Sequence, residues 1–165
     1  MSALTKDLLF FVLKNAVILL VFVLLFTFVF GIMKNPEPSM SPAFKDGDLI
    51  VFHRYTQSGY MPRDAIVVEA DGQKQVRRVI ATEGDTVDIT EDGLLINGAL
   101  QQEPEIFQKT ERYQEGIDLP VTVPEGHVFV LGDNRESATD SRIYGMVETD
   151  NTAGKVIAVI RRRSF

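Results

Sequence analysis

The sequence predicts a mainly β domain, a sandwich or partly open barrel, preceded by one N-terminal transmembrane helix. An uncharged apolar run near the start predicts the helix. Short β-branched runs separated by turn signals predict the rest.

Residues 16–33 read AVILLVFVLLFTFVFGIM and carry no charge. At about 1.5 Å per residue this run approaches the ~30 Å hydrocarbon core of a bilayer. A second apolar stretch, residues 8–13, lies before Lys14. Lys14 can snorkel to the interface, so the helix is expected to begin near Asp7 and tilt. Lys34, Asn35 and Pro36 mark its far end. The run is longer than a signal-peptide core, and no A-x-A site follows it, which favours a retained anchor. Lys6 and Lys14 precede the span and Lys34 follows it; the balance places the N-terminus in the cytoplasm. The expected division is a cytoplasmic segment over 1–7, an anchor over 8–34 and an extracytoplasmic β domain over 35–165. Membrane lipid is then a partner. A domain of about 130 residues suits a single core.

From Pro36 onward the pattern changes. Apolar, β-branched runs fall at residues 49–52, 65–68, 76–80, 86–89, 94–96, 128–131 and 155–160. Asp46-Gly47-Asp48, Glu83-Gly84-Asp85, Glu91-Asp92-Gly93, Asn97-Gly98 and Glu125-Gly126 punctuate them. Asn97-Gly98 after residues 94–96 predicts a two-residue hairpin turn. No long amphipathic helix is expected in this domain. Residues 101–119 are polar and acidic and read as a surface insertion.

The formal net charge is −6, and the only basic cluster is Arg161-Arg162-Arg163 at the end, so no nucleic-acid partner is expected. With no cysteine, disulfides, thiolate metal sites and cysteine nucleophiles are excluded. His53 and His127 stand far apart, without metal-ligand spacing. No metal or cofactor is expected.

Three segments carry candidate chemistry. Pro38-Ser39-Met40-Ser41-Pro42 lies just past the anchor; a serine between prolines is ordinarily a turn residue. Val76-Arg77-Arg78-Val79-Ile80 leads to Glu83-Gly84-Asp85 and by itself reads as strand and turn. Gly132-Asp133-Asn134-Arg135 runs on to Asp140-Ser141-Arg142 and Gly145. That block is the most specific, because acids, arginines and small residues crowd one loop after an apolar strand.

In this order, behind an apolar anchor, the segments resemble the type I signal peptidases over nearly the whole chain. The resemblance implies a signal-peptidase-type β fold and a serine endopeptidase that removes signal peptides from exported proteins. It implies that Ser39 is the nucleophile and that a lysine base belongs at the position of Arg77. It further implies that Asp133 pairs with Arg78, and that Met40, Arg135, Asp140 and Arg142 support the site. Substrate would lie extended along a strand edge.

Arg77 departs from that pattern. A serine hydroxyl needs a base. A lysine can serve once burial lowers its pKa from ~10.4 by roughly three units. A guanidinium does not deprotonate in proteins, so Arg77 can bond Ser39 or an oxyanion but cannot act as the base. Lys74 stands three residues before Arg77, an odd offset that turns it to the other face of a regular strand. Lys45 is expected to decorate the turn before Gly47. Where many members have a lysine-supporting serine, the alignment gives Ala138, with Ser137 one position off. Ala43 replaces a usual threonine. Glu37, two residues before the serine, is expected to face solvent, since inward it would repel an oxyanion. Arg77→Lys is expected to raise activity in part.

Residues 45–49, 96–106, 138–145 and 159–163 resemble the signal-peptidase-like proteins of Gram-positive sortase-assembled pilus clusters. Members of that group can lack the serine–lysine pair and assist pilus polymerisation without cleavage. The resemblance adds secreted or pilin precursor peptides and the sortase machinery as partners.

Overall fold

From residue 8 to 26 every side chain except Lys14 and Asn15 is apolar, and a chain entering lipid must satisfy its backbone internally. The result is α1 (Ala3–Phe28), in a computed structural model that describes residues 3–54, 59–70 and 72–161. Met1 and Ser2, like Arg162 and Arg163 of the terminal cluster, lie outside the described residues. The 26 residues of α1 give a length of about 39 Å, enough to cross a bilayer with tilt. Two of its polar side chains bond inside the helix: Asn15 Nδ2 donates to Phe11 O, and Thr27 Oγ1 to Val23 O. The helix starts before Asp7 and stops before Lys34. The last apolar residues form a strand instead, β1 (Phe30–Lys34).

That strand joins the helix directly to the domain. The rings of Phe22, Phe26 and Phe30 pack in succession, and Phe30 meets His53 edge-on at 5.6 Å. The Arg54 N–H takes up Val29 O, and Arg54 Nε donates to Phe30 O. Gly31 is required here, because any side chain would run into the Phe52 ring.

The domain is made of antiparallel strands: β2 (Leu49–His53), β3 (Ala65–Ala70), β4 (Gln73–Thr82), β5 (Thr86–Thr90), β6 (Gly93–Ile96), β7 (Ala99–Leu100), β8 (Val121–Thr122), β9 (His127–Leu131), β10 (Val147–Glu148) and β11 (Thr152–Ile160). One sheet runs β1-β2-β11-β3-β4-β9-β10 and the other β7-β6-β5-β8. The Asn97-Gly98 hairpin forms with the predicted two-residue turn, pairing Ile96 with Ala99, and both turn residues have positive φ. The helical exceptions are a four-residue α2 (Ser141–Tyr144) and a short turn at Thr149–Asn151.

Alternation along the strands builds the core. Val67 and Val76 face one side with Met40, Ile50 and Phe52; Ile66, Val68 and Val79 face the other with Val128 and Val130. Ala81, Val87, Ile89, Leu94, Phe129 and Leu131 fill a third cluster. Strand β9 pairs with β4 only from Arg78 onward. Over Gln73–Arg77, β3 is the registered neighbour, so the other edge faces the turn that carries Ser39.

Candidate active site

Local bonding fixes the turn around Ser39. Asn35 is buried, and its Nδ2 donates to Glu37 O at 2.8 Å and Lys45 O at 3.0 Å. The N–H groups of Ser41 and Phe44 close turns onto Pro38 O and Met40 O. Met40 is fully buried, which contributes about 1.5–3 kcal/mol to holding the turn down. Its Sδ accepts the N–H of Asp133 at 3.4 Å, and Ser39 O accepts the N–H of Asn134 at 2.8 Å. A side chain at Gly132 would collide with Ala138 and with Ser39 O, so glycine permits this approach.

The loop after β9 is held from inside. Asp140 caps α2, accepts the Gly132 N–H and pairs with Arg142 at 2.8 Å. Ser141 Oγ accepts the Val130 N–H. Arg135 and Arg142 are both nearly solvent-free. Arg135 Nε donates to Gly132 O, and its Nη2 meets Glu103 Oε1 at 2.5 Å. Arg142 Nη1 donates to Glu111 O, while its guanidinium lies 4.6 Å from the Tyr113 ring centre. The Tyr113 hydroxyl donates to Ala138 O. Residues 101–119 are therefore not a detached insertion. They strap down the loop, because buried guanidinium groups require acceptors that the loop alone does not supply.

Arg77 and Arg78, adjacent on β4, point to opposite faces. Arg78 forms a two-pronged pair with Asp133, at 2.7 and 2.5 Å. The hydrogen bond to Asp133 raises the pKa of Arg78 against the opposing effect of burial. Arg77 is 0% exposed. Its Nη1 lies 2.8 Å from Ser39 Oγ, 2.6 Å from Glu37 Oε1 and 2.6 Å from Val76 O. Nη2 reaches Gln75 Oε1 at 2.7 Å and Thr139 O at 2.7 Å, and Nε donates to Thr139 O as well.

Glu37 overturns an expectation: its carboxylate turns inward, not to solvent. Glu37 Oε1 accepts from both Arg77 and the Ser39 hydroxyl, the latter at 2.9 Å. A buried guanidinium without a counter-charge costs more than the partial dehydration of one carboxylate, so the acid folds in. Ser39 is itself 2% exposed. The hydroxyl therefore sits between a carboxylate and a guanidinium. Among the described residues, no lysine bonds to it. Lys74 is exposed and registers with Glu69 across β3, and Lys45 lies exposed in the turn. Ala138 is buried against Gly132 and brings no hydroxyl, while Ser137 faces solvent. The Tyr144 hydroxyl lies buried beside Arg77, and burial pushes its pKa up. Among the described residues, no histidine or acidic cluster could hold a metal ion.

A family model for signal peptidase, peptidase S26, matches residues 8–161. The chain belongs to the signal peptidase family. It is 32% identical to signal peptidase IB of Staphylococcus aureus strain Mu50, an alignment covering 92% of this chain and 88% of that protein. It is 35% identical to signal peptidase I of Bacillus licheniformis, over 90% and 87% of the two chains. The crystal structure of a signal peptidase I from Enterococcus faecalis V583 superposes with a TM-score of 0.51 at 30% identity. That match covers 62% of this chain and all of the other. The mainly β fold is therefore that of this signal peptidase family.

The sequence reading brought Ser39, Arg77, Arg78 and Asp133 into focus, and the fold gathers them around one loop. It missed the inward Glu37, Gln75, Thr139 O and the bracing by Glu103 and Tyr113. One signal for Glu37 was available. An arginine buried in a strand calls for a nearby carboxylate, and Glu37 is the acid nearest Ser39 in the chain.

Proposed function

We propose that this chain is a membrane-anchored, peptide-binding member of the signal peptidase family in which the lysine-dependent cleavage route is closed. Helix α1 would span the membrane with the N-terminus in the cytoplasm, and the β domain would meet exported precursors outside. The observation that carries the reading is the set of partners on Ser39 Oγ: one carboxylate and one guanidinium. Neither supplies the neutral amine that family chemistry uses, and a guanidinium bonded to the oxygen lowers its nucleophilicity. Among the described residues no strand is registered on the second edge of β4 over Gln73–Arg77, and its exposed end at Gln73 and Lys74 supports binding, because an extended peptide can add there as a strand. The likeness of four stretches to proteins of sortase-assembled pilus clusters supports pilin precursors as ligands and assembly as the role.

The test uses the full chain in detergent micelles and a fluorogenic peptide with an A-x-A segment. Binding without turnover above the Ser39→Ala variant is expected near neutral pH. Turnover that Ser39→Ala abolishes would reject the reading.

A second reading, a working signal-peptide-removing endopeptidase, is favoured by one contact. The Ser39 hydroxyl still donates to a proton acceptor, Glu37. A carboxylate accepts a proton only while ionised, so such a base would be lost in acid. Ser39-dependent turnover near neutral pH that falls in acid and vanishes in Glu37→Gln would support it.

A further inference from the structure

Arg77 is not an isolated substitution. Its guanidinium is fully buried, and among the described residues its single carboxylate partner is Glu37, at 2.6 Å. The same oxygen of Glu37 receives the Ser39 proton, so one acid faces both the cation and the nucleophile. We propose that Glu37 and Arg77 form one electrostatic unit, in which Glu37 holds any cation at position 77 in its charged form. Restoring lysine chemistry therefore requires exchange of both residues. This inference rests on the reading that the lysine route is closed.

The physical argument concerns the neutral amine. A lysine at position 77 must lose its charge to take the Ser39 proton, and burial favours that loss. An opposite charge within hydrogen-bonding distance favours the ammonium and raises the pKa by about 1–3 units. With Glu37 in place, the two effects oppose each other and the lysine stays protonated near neutrality. The other groups facing position 77 do not replace this influence. Gln75 Oε1 and Thr139 O are uncharged acceptors. Tyr144 is held neutral by burial, and Asp140 is committed to Arg142. With an uncharged residue at 37, the amine can receive the Ser39 proton as Oγ bonds to the scissile carbonyl carbon. The amine then returns the proton to the leaving nitrogen as the C–N bond breaks.

The experiment compares Arg77→Lys with the double variant Glu37→Gln, Arg77→Lys in the full-length chain. Nuclear magnetic resonance of ¹³C-labelled lysine follows the titration of the new side chain. The A-x-A peptide reports turnover from about pH 6 to 10, the span over which a buried lysine is brought into use. The expected result is a Lys side chain that titrates at least about one unit lower in the double variant. Its turnover near neutral pH should be about tenfold or more above that of Arg77→Lys, with a pH profile displaced to lower pH. Equal titration in the two variants overturns the proposal, whether or not either cuts. If the glutamine variant does not fold, Glu37→Ser takes its place. Ser39-dependent turnover by the unsubstituted chain would sink the functional reading while leaving the titration comparison to decide this one.

Discussion

At position 37 a carboxylate is 28% exposed and, among the described residues, carries the only counter-charge paired with a guanidinium that has no exposure. The stability consequence differs from that at Ser39, although both side chains bond Arg77. Glu37→Gln should lower stability by up to about 3 kcal/mol, because it strands a buried charge. Ser39→Ala should cost about 1 kcal/mol or less, since Arg77 keeps Glu37, Gln75, Val76 O and Thr139 O as acceptors. Denaturant midpoints of the two variants in the same detergent check the order. A larger loss for Ser39→Ala would contradict the assignment of charge balance to Glu37. The same pair of residues changes what a return to lysine should do. Viewed along the sequence alone, Arg77→Lys restores a base; beside an inward Glu37, it restores an ammonium.

At the scale of elements, the loop after β9 depends on a segment that has almost no regular structure. Residues 101–119 supply Glu103 to Arg135, the Glu111 carbonyl to Arg142 and a tyrosine that covers Arg142. Thr110, buried within this strap, also accepts from Arg135. Removing one carboxylate should therefore be felt across the loop. Glu103→Ala is expected to destabilise by about 3 kcal/mol, because Arg135 is left buried with its charge unpaired. Hydrogen exchange should speed up most at residues 132–140. Unchanged protection there would show that the strap does not hold the loop. The strands were readable beforehand because their side chains alternate and their turns carry glycine and asparagine. The strap was not, since its polar, acidic composition is the same for a free insertion and for a brace. What distinguishes them is whether arginines elsewhere in the chain need those acceptors.

At the scale of the whole molecule, the first and last parts of the domain are tied through Asp48 and Arg161, 113 residues apart. Asp48 stands just before β2 and Arg161 just after β11, two strands that are neighbours in the sheet. The hydrogen bond from Arg161 holds the Asp48 carboxyl below the usual carboxylate range, against the opposing effect of burial. A pKa depressed by folding contributes stability above the unfolded value, near ~3.9, and that contribution is lost as pH falls through the folded value. Asp85, in the turn between β4 and β5, is shifted the same way, chiefly by the Thr82 N–H, so acid loosens both places. Asp48→Asn should therefore flatten the acid limb of the stability profile below about pH 4 without removing it. Chemical denaturation at a series of pH values checks this. A profile as steep as the parent's would mean that the pair does not contribute.

The sequence by itself determined the N-terminal apolar helix, the strand-rich domain and the family, because apolar length, alternation and short motifs are local properties. Sequence also showed that residue 77 is an arginine, which cannot act as a base in any surroundings. Only tertiary structure decided where Glu37 points and which segment holds the loop. Those outcomes follow from the cost of burying charge, and that cost is set by neighbours brought together from distant parts of the chain.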